Sequence, residues 1–226
     1  WPEGIFTDIS QKKLEEYSSL FDKNFNKNHL FIIGTNNKAI ENGSINYYNS
    51  LTIYDNELNI INYYNKINLV PFGEFLPFEN ILKVIGLKPL TNNYQSFSKG
   101  KTRDIIEIKH QNSNLKILPL ICYEIIYSGK LFKNSSFDFI INISEDGWFG
   151  KSIGPMQHFE HSILRAIESG KYILRSSNNG IAAIINPIGA VEQSVDFGKS
   201  GYVDLTEMRK IQPTIFSKYG NKIFGL

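Results

Sequence analysis

Leu115-Lys116-Ile117-Leu118-Pro119-Leu120-Ile121-Cys122-Tyr123-Glu124-Ile125-Ile126 drives an apolar run into the only cysteine of the 226-residue chain. The run from Ile117 to Ile121 is short and bounded by the polar turn 111–114, so it reads as a buried strand and not as a membrane helix. Pro119 gives a sheet no N–H and belongs at an edge or a bulge. Cys122 stands where the strand runs out. In an α/β sheet, side chains at the C-terminal ends of strands face the crevice where such folds bind ligands. The competing reading is that Cys122 is a small buried hydrophobe.

Working outward, length and composition describe a globular chain with one large domain or at most two small ones. The chain is 42% hydrophobic, with 12 Tyr and 16 Phe. The formal charge is +2, and the basic residues are scattered, which argues against a nucleic-acid partner. A single cysteine excludes an intrachain disulfide and a multi-cysteine metal site. No run approaches the ~18 apolar residues of a membrane span, and no signal peptide is present. The chain opens on Trp1 and turns apolar at Phe224-Gly225-Leu226, which reads as an excised piece of a longer protein.

Along the chain, Asp8 or Ser10 is placed to cap a helix running to about Phe25. Leu30 to Ile33 reads as a short strand ended by Gly34. Ser44 to Tyr54 and Leu58 to Tyr64 form a hairpin around Asp55-Asn56. The segment Pro71-Phe72-Gly73-Glu74-Phe75-Leu76-Pro77 is an ordered loop. A short helix is expected over 78–85 and a polar loop over 87–101. Asp104 to Lys109 pairs with the Cys122 strand. Phe137 to Ile143 is a further buried strand. Pro155 then opens a helix with the apolar stripe Met156, Phe159, Ile163, Ala166 and Ile167, and Gly170 ends it. Tyr172 to Arg175, Ile181 to Ile185 and Ala190 to Val195 are strands. Mixed elements without linker or repeat make a single α/β domain over residues 1–226, with two layers of sheet and helices outside.

Glu3, Lys66 and Cys122 each punctuate a strand. A thiol titrates near 8.5, so only a few per cent is thiolate at neutral pH and attack on a carbonyl needs a base. A buried carboxylate suits that role. The resulting oxyanion calls for a donor such as a lysine ammonium. Glu, Lys and Cys together fill the three roles with neither metal nor cofactor, although residue types alone do not single out these three.

Trp1-Pro2-Glu3, Tyr64-Asn65-Lys66-Ile67-Asn68-Leu69-Val70-Pro71-Phe72-Gly73-Glu74, Leu120-Ile121-Cys122-Tyr123-Glu124 and Asn142-Ile143-Ser144 resemble the nitrilase superfamily. Within it they are similar to the catalytic domains of the apolipoprotein N-acyltransferases of bacterial membranes. The stretches Pro71 to Pro77, Asp146-Gly147-Trp148-Phe149-Gly150, Gly154-Pro155-Met156-Gln157-His158 and Arg175-Ser176-Ser177-Asn178-Asn179-Gly180 carry that narrower likeness. It runs from Trp1 to about Tyr219. The resemblance implies a four-layer αββα sandwich set on transmembrane helices that this chain lacks, with its first strand also missing. It implies Glu3 as general base, Lys66 as oxyanion stabiliser and Cys122 as nucleophile. Glu74, Tyr123 and Glu124 match further active-site positions, and Trp148 and Phe149 match loops that meet substrate lipid. The implied reaction takes an acyl chain from a phospholipid onto the cysteine as a thioester. It then passes to the amino group of the diacylglyceryl cysteine of an apolipoprotein, on the extracytoplasmic face of the bacterial inner membrane. Two departures from the family stand out: Gly4-Ile5-Phe6-Thr7 follows Trp1-Pro2-Glu3 where small residues and a proline are usual, and Glu145 precedes Asp146 where an asparagine is common.

Plainer readings stand beside these. Glu74 can simply brace its loop, and Trp148 and Phe149 can be core aromatics. His158 and His161 on one helix suggest a metal, but a bare pair lacks a third ligand and reads as structural or surface. Arg165 and Glu168 read as solvated helix charges or a surface pair, and Asn178-Asn179-Gly180 as a turn. Two rival functions use the same residues: a nitrilase-type amidase acting on a small amide or nitrile, and an inactive lipoprotein-binding module.

Overall fold

The computed structural model describes residues 1–41, 43–78, 84, 86, 96–110, 113–129, 136–209, 211–212 and 214–225. Most of the helix expected over 78–85 and of the loop expected over 87–101 lies outside the described residues, as does half of the 111–114 turn. Contacts divide the chain into two compact units: Gly4–Arg103, and Trp1–Glu3 together with Asp104–Leu226.

The Gly4–Arg103 unit is built on a four-stranded sheet in the order β1-β2-β3-β4. Its strands are β1 (Phe6–Ser10), β2 (Phe31–Glu41), β3 (Ser44–Tyr54) and β4 (Ile60–Asn65). β1 runs parallel to β2, and the other neighbours are antiparallel. The Asp55 turn forms as expected, its Oδ1 accepting from the N–H groups of Glu57 and Asn59, both at 2.9 Å. Two expectations are corrected. The helix capped by Asp8 or Ser10 does not start there, because Phe6–Ser10 pairs with β2. Helical structure begins with a 3-10 stretch, Gln11–Tyr17, and continues as the single α-turn α1 (Ser18–Asp22). β2 does not stop at Gly34 either. Beyond it the chain turns polar and the apolar signal fades, yet β2 and β3 stay in unbroken register from Phe31↔Tyr54 to Glu41↔Ser44. Buried hydroxyls on that stretch satisfy each other, with Thr35 Oγ1 2.8 Å from Thr52 Oγ1. Leu14, Phe31, Ile33, Tyr54 and Leu58 form the unit's apolar core.

The second unit carries a six-stranded sheet in the order β10-β9-β8-β7-β6-β5. The strands are β5 (Ile106–His110), β6 (Ser113–Ile121), β7 (Phe139–Glu145), β8 (Tyr172–Asn178), β9 (Ala182–Ile185) and β10 (Val191–Val195). β6, β7 and β8 are parallel neighbours and the outer pairings are antiparallel. Strands buried on both faces need continuous apolar runs, which is why β6 and β7 were the clearest strands in the sequence. Pro119 is tolerated inside β6 because pairing to β5 ends at Ile117, so the proline sits beyond the reach of that neighbour.

Parallel β7 and β8 require a crossover, and α2 (Gly154–Ser169) supplies it, with Pro155 in its first turn. Gly170 ends it at φ 65, the left-handed cap position. The predicted stripe is only partly the buried face. Met156 and Ile167 are half exposed, while His158, Ser162, Arg165 and Ser169 are buried beside Phe159 and Ala166. Polar residues take these places because they bond groups of the sheet and the turn beneath them. Leu118, Leu120, Ile125, Phe137, Ile140, Ile173, Ala183 and Ile185 complete the core. Near the C-terminus, α3 (Ile215–Tyr219) is capped by Thr214, whose Oγ1 accepts from Ser217 N–H at 3.0 Å. Among the described residues, no helix is long and apolar enough to cross a membrane.

Candidate active site

Cys122 leaves β6 at φ 49 and opens a 3-10 turn, Cys122–Ile126. A positive φ is uncommon for any residue but glycine. It costs on the order of 1–3 kcal/mol and persists only where the surroundings impose it. Two side chains do so here. Buried Glu124 reaches back and accepts the Ile121 N–H at 3.0 Å. From above, His158 places Nε2 3.1 Å from the Cys122 carbonyl oxygen. Tyr123 meets Tyr127 edge to face, with ring centroids 5.5 Å apart.

The end of β7 brings Glu3 and Cys122 to one residue. Glu3, buried at the start of the chain, accepts the Glu145 N–H through Oε2 at 3.0 Å. The Cys122 Sγ lies 4.0 Å from the Glu145 carbonyl oxygen. The Glu145 carboxylate is taken up locally: Oε1 accepts the Gly147 N–H at 2.8 Å and Oε2 accepts from Asn178 Nδ2.

Behind Cys122 lies a polar cluster that sequence reading missed as a unit. Asp146, fully buried, accepts from four groups. Ser144 Oγ and His158 Nδ1 reach Oδ1, each at 2.7 Å, while Arg175 Nη2 at 2.7 Å and Ser177 Oγ at 2.9 Å reach Oδ2. Burial alone would push this carboxyl up; the His158 hydrogen bond and the Arg175 guanidinium outweigh it and bring it down to about 2. Arg175 is buried as well and also donates to Asn142 Oδ1 and, at 3.1 Å, to the Ile181 carbonyl. Arginine in the otherwise apolar strand Tyr172–Arg175 was the legible signal, since a guanidinium is buried there only with partners. Cys122, Asp146 and His158 offer possible ligand atoms within 4.8 Å of one another. His158 is thus grouped with Cys122 and Asp146 and not with His161.

Arg165 and Glu168 do pair, but the expected solvated or surface placement of Arg165 is corrected: it is 2% exposed and donates through Nη1 to the carbonyls of Ile125 and Ile126 at 3.3 and 3.0 Å, so it ties α2 to the turn after Cys122. Its Nη2 pairs with Glu168 Oε1 at 2.5 Å.

In the Gly4–Arg103 unit, Lys66 is 1% exposed and directly follows β4, with its Nζ 3.1 and 3.0 Å from the two oxygens of Glu74. Glu74 in turn accepts from Asn49 Nδ2 at 2.6 Å and from the Val70 N–H at 2.8 Å. It therefore braces the Pro71–Pro77 loop and holds the lysine at once. Gly100 donates its N–H to the Lys66 carbonyl at 2.8 Å. A Cβ there would fall 2.1 Å from the Asn65 carbonyl oxygen, so only glycine allows the approach.

Trp148 and Phe149 sit on a 3-10 turn, Gly147–Phe149. They are 60% and 41% exposed, and the nearby Ile153 and Met156 are 68% and 50% exposed. The alternative of core aromatics is set aside for both.

These features coincide with a known family. The carbon-nitrogen hydrolase model matches residues 7–207, and the chain belongs to that family. Its fold is the α/β fold of the nitrilase type. Yeast (Saccharomyces cerevisiae) Nit3, a member of branch 10 of the nitrilase superfamily, matches with a TM-score of 0.57 at 16% identity, over 88% of this chain and 72% of its own. An amidase from Nesterenkonia sp. matches with a TM-score of 0.52 at 13% identity, over 87% and 68%. Among curated proteins, the chain is similar to the apolipoprotein N-acyltransferase of Bradyrhizobium diazoefficiens, 39% identical over 77% of this chain and 32% of that protein. The Rickettsia prowazekii apolipoprotein N-acyltransferase is 37% identical over 98% of this chain and 44% of that protein. The chain thus spans less than half the length of the curated relatives it matches.

Proposed function

We propose that residues 1–226 are the catalytic domain of an N-acyltransferase that moves a fatty acyl chain from a phospholipid to the N-terminal diacylglyceryl cysteine of bacterial apolipoproteins. What carries the reading is similarity along up to 98% of the chain to proteins of that one name, whereas the amidases resemble it at 12–13% identity, in fold alone. In this reading the domain stands on the extracytoplasmic face of the inner membrane, attached to transmembrane segments outside these residues.

Cys122 is the nucleophile. Its thiol proton passes to Glu3 as sulfur attacks the ester carbonyl of the phospholipid. The tetrahedral oxyanion is stabilised by the Lys66 ammonium, which Glu74 orients. Collapse breaks the carbon–oxygen bond, Glu3 returns the proton to the leaving alkoxide, and a lysophospholipid departs from a thioester. The lipoprotein's amine then attacks the thioester, loses a proton to Glu3, and the Cys122 sulfur leaves as thiol. Tyr123 and Glu124 shape the turn that presents the sulfur. Exposed Trp148 and Phe149 support a lipid acyl donor, because large side chains left to solvent in a cluster favour an apolar partner.

Intact-protein mass spectrometry of the complete protein in detergent with phospholipid, without acceptor, tests this. A hydroxylamine-labile, fatty-acyl-sized adduct on Cys122, lost in Cys122→Ala and Glu3→Gln, is expected. Lys66→Ala should slow adduct formation on the order of 100- to 1000-fold. Folded protein that takes no adduct but hydrolyses a small amide would replace the reading with the amidase.

A further inference from the structure

We propose that His158 is a positioning residue for Cys122: anchored by Asp146 and protonated on both ring nitrogens, it holds the Cys122 carbonyl and sets a positive charge beside the thiol. The first ground is donor–acceptor accounting. Nε2 faces the Cys122 carbonyl oxygen at 3.1 Å and Nδ1 faces Asp146 Oδ1 at 2.7 Å. A carbonyl oxygen only accepts, and so does an ionised carboxylate. Either neutral tautomer would therefore press a lone pair against an oxygen at hydrogen-bond distance, and only the doubly protonated ring satisfies both contacts. Arg175 Nη2 also lies 3.3 Å from Nδ1, but the Asp146 contact is shorter, and Arg175 is aimed at the other oxygen of the same carboxylate.

The second ground is placement. A ring nitrogen of His158 and the Cys122 sulfur lie within the 4.8 Å span of the cluster. Charged and titratable groups that act on the ring include Asp146 after β7, Arg175 on β8, Cys122 on its turn and His161 on α2 itself; buried Glu124 belongs to the Cys122 turn, and Glu3 accepts the Glu145 N–H at the end of β7. A cation within about 4–6 Å favours the charged form of an acid by about one to three pH units, and reactive cysteines are found in such settings. A metal is a poorer occupant of this cluster. Both ring nitrogens are engaged, and each Asp146 oxygen already accepts two donors.

The inference rests on the nucleophile reading only for its effect on turnover; thiol reactivity can be measured without a substrate. The test follows alkylation of Cys122 by iodoacetamide against pH in the complete protein and in His158→Gln, which keeps a neutral N–H but no charge. The variant should move the alkylation midpoint up by about one unit and react about tenfold more slowly at neutral pH. Coincident profiles would overturn the proposal. Because replacing a buried histidine can unfold the chain, nitrogen NMR of the unaltered protein provides a second readout. Two protonated ring nitrogens at His158 at neutral pH are expected, and one unprotonated nitrogen rejects the assignment. Failure of phospholipid to acylate Cys122 would remove the acyltransferase reading and leave the alkylation result standing.

Discussion

Cys122 occupies a backbone conformation that its side chain does not favour, and buried charged groups of its neighbours hold it there. Asp146 is the anchor of that arrangement. Its folded-state value is depressed to about 2, against about 3.9 in an unfolded chain. Its contribution to stability is therefore fully present above about pH 4 and lost as pH falls through about 2. The magnitude is on the order of 2 kcal/mol. Acid titration of unfolding free energy should show this loss in the natural chain. Asp146→Asn, less stable at neutral pH, should give a flatter curve in the same window. Lys66 presents the mirror case, a buried ammonium held by Glu74. Glu74→Gln leaves it facing a neutral amide and should lower stability on the order of 3 kcal/mol. A shift in denaturant midpoint with unchanged slope would register it, and an unshifted midpoint would refute the pairing.

At the scale of elements, two glycines separate kinds of constraint. Gly170 ends α2 at φ 65, and a Cβ there would lie 3.3 Å from a methyl of Thr214. Gly170→Ala should then cost about 1 kcal/mol, mostly conformational. Gly100 has a backbone oxygen where its Cβ would go. Gly100→Ala must move the Asn65–Lys66 backbone and should cost more than Gly170→Ala, roughly 2 kcal/mol or beyond. Thermal midpoints of the two variants measure the order. Legibility also varied by element. β6 and β7 were plain because burial on both faces demands unbroken apolar runs. β1 and the second half of β2 were not, because their strand state comes from pairing with a neighbour and not from side-chain pattern. For α2, both ends were readable from Pro155 and Gly170. Its buried face was not, since hydrophobicity alone ranks Met156 above His158 and Arg165.

For the whole molecule, Trp148, Phe149, Ile153 and Met156, close in sequence and all exposed, are among the large apolar side chains that folding leaves to solvent. Trp148→Ser combined with Ile153→Ser should leave stability within about 0.5 kcal/mol while slowing acylation of Cys122 by phospholipid in the complete protein. An unchanged acylation rate would separate this surface from the lipid.

The sequence by itself determined the α/β class, the strand ending at Cys122 and the motif series that places the chain in the carbon-nitrogen hydrolase family. These are properties of local pattern, which survives in one dimension. Tertiary structure alone decided which charges are inside. Asp146, His158, Arg165 and Arg175 are polar in any reading of composition. They are buried because β7, β8, α2 and the Cys122 turn each offer the partner that another requires. Donors and acceptors more than thirty residues apart in the chain, as His158 is from Cys122, satisfy one another only once the sheet has ordered its strands.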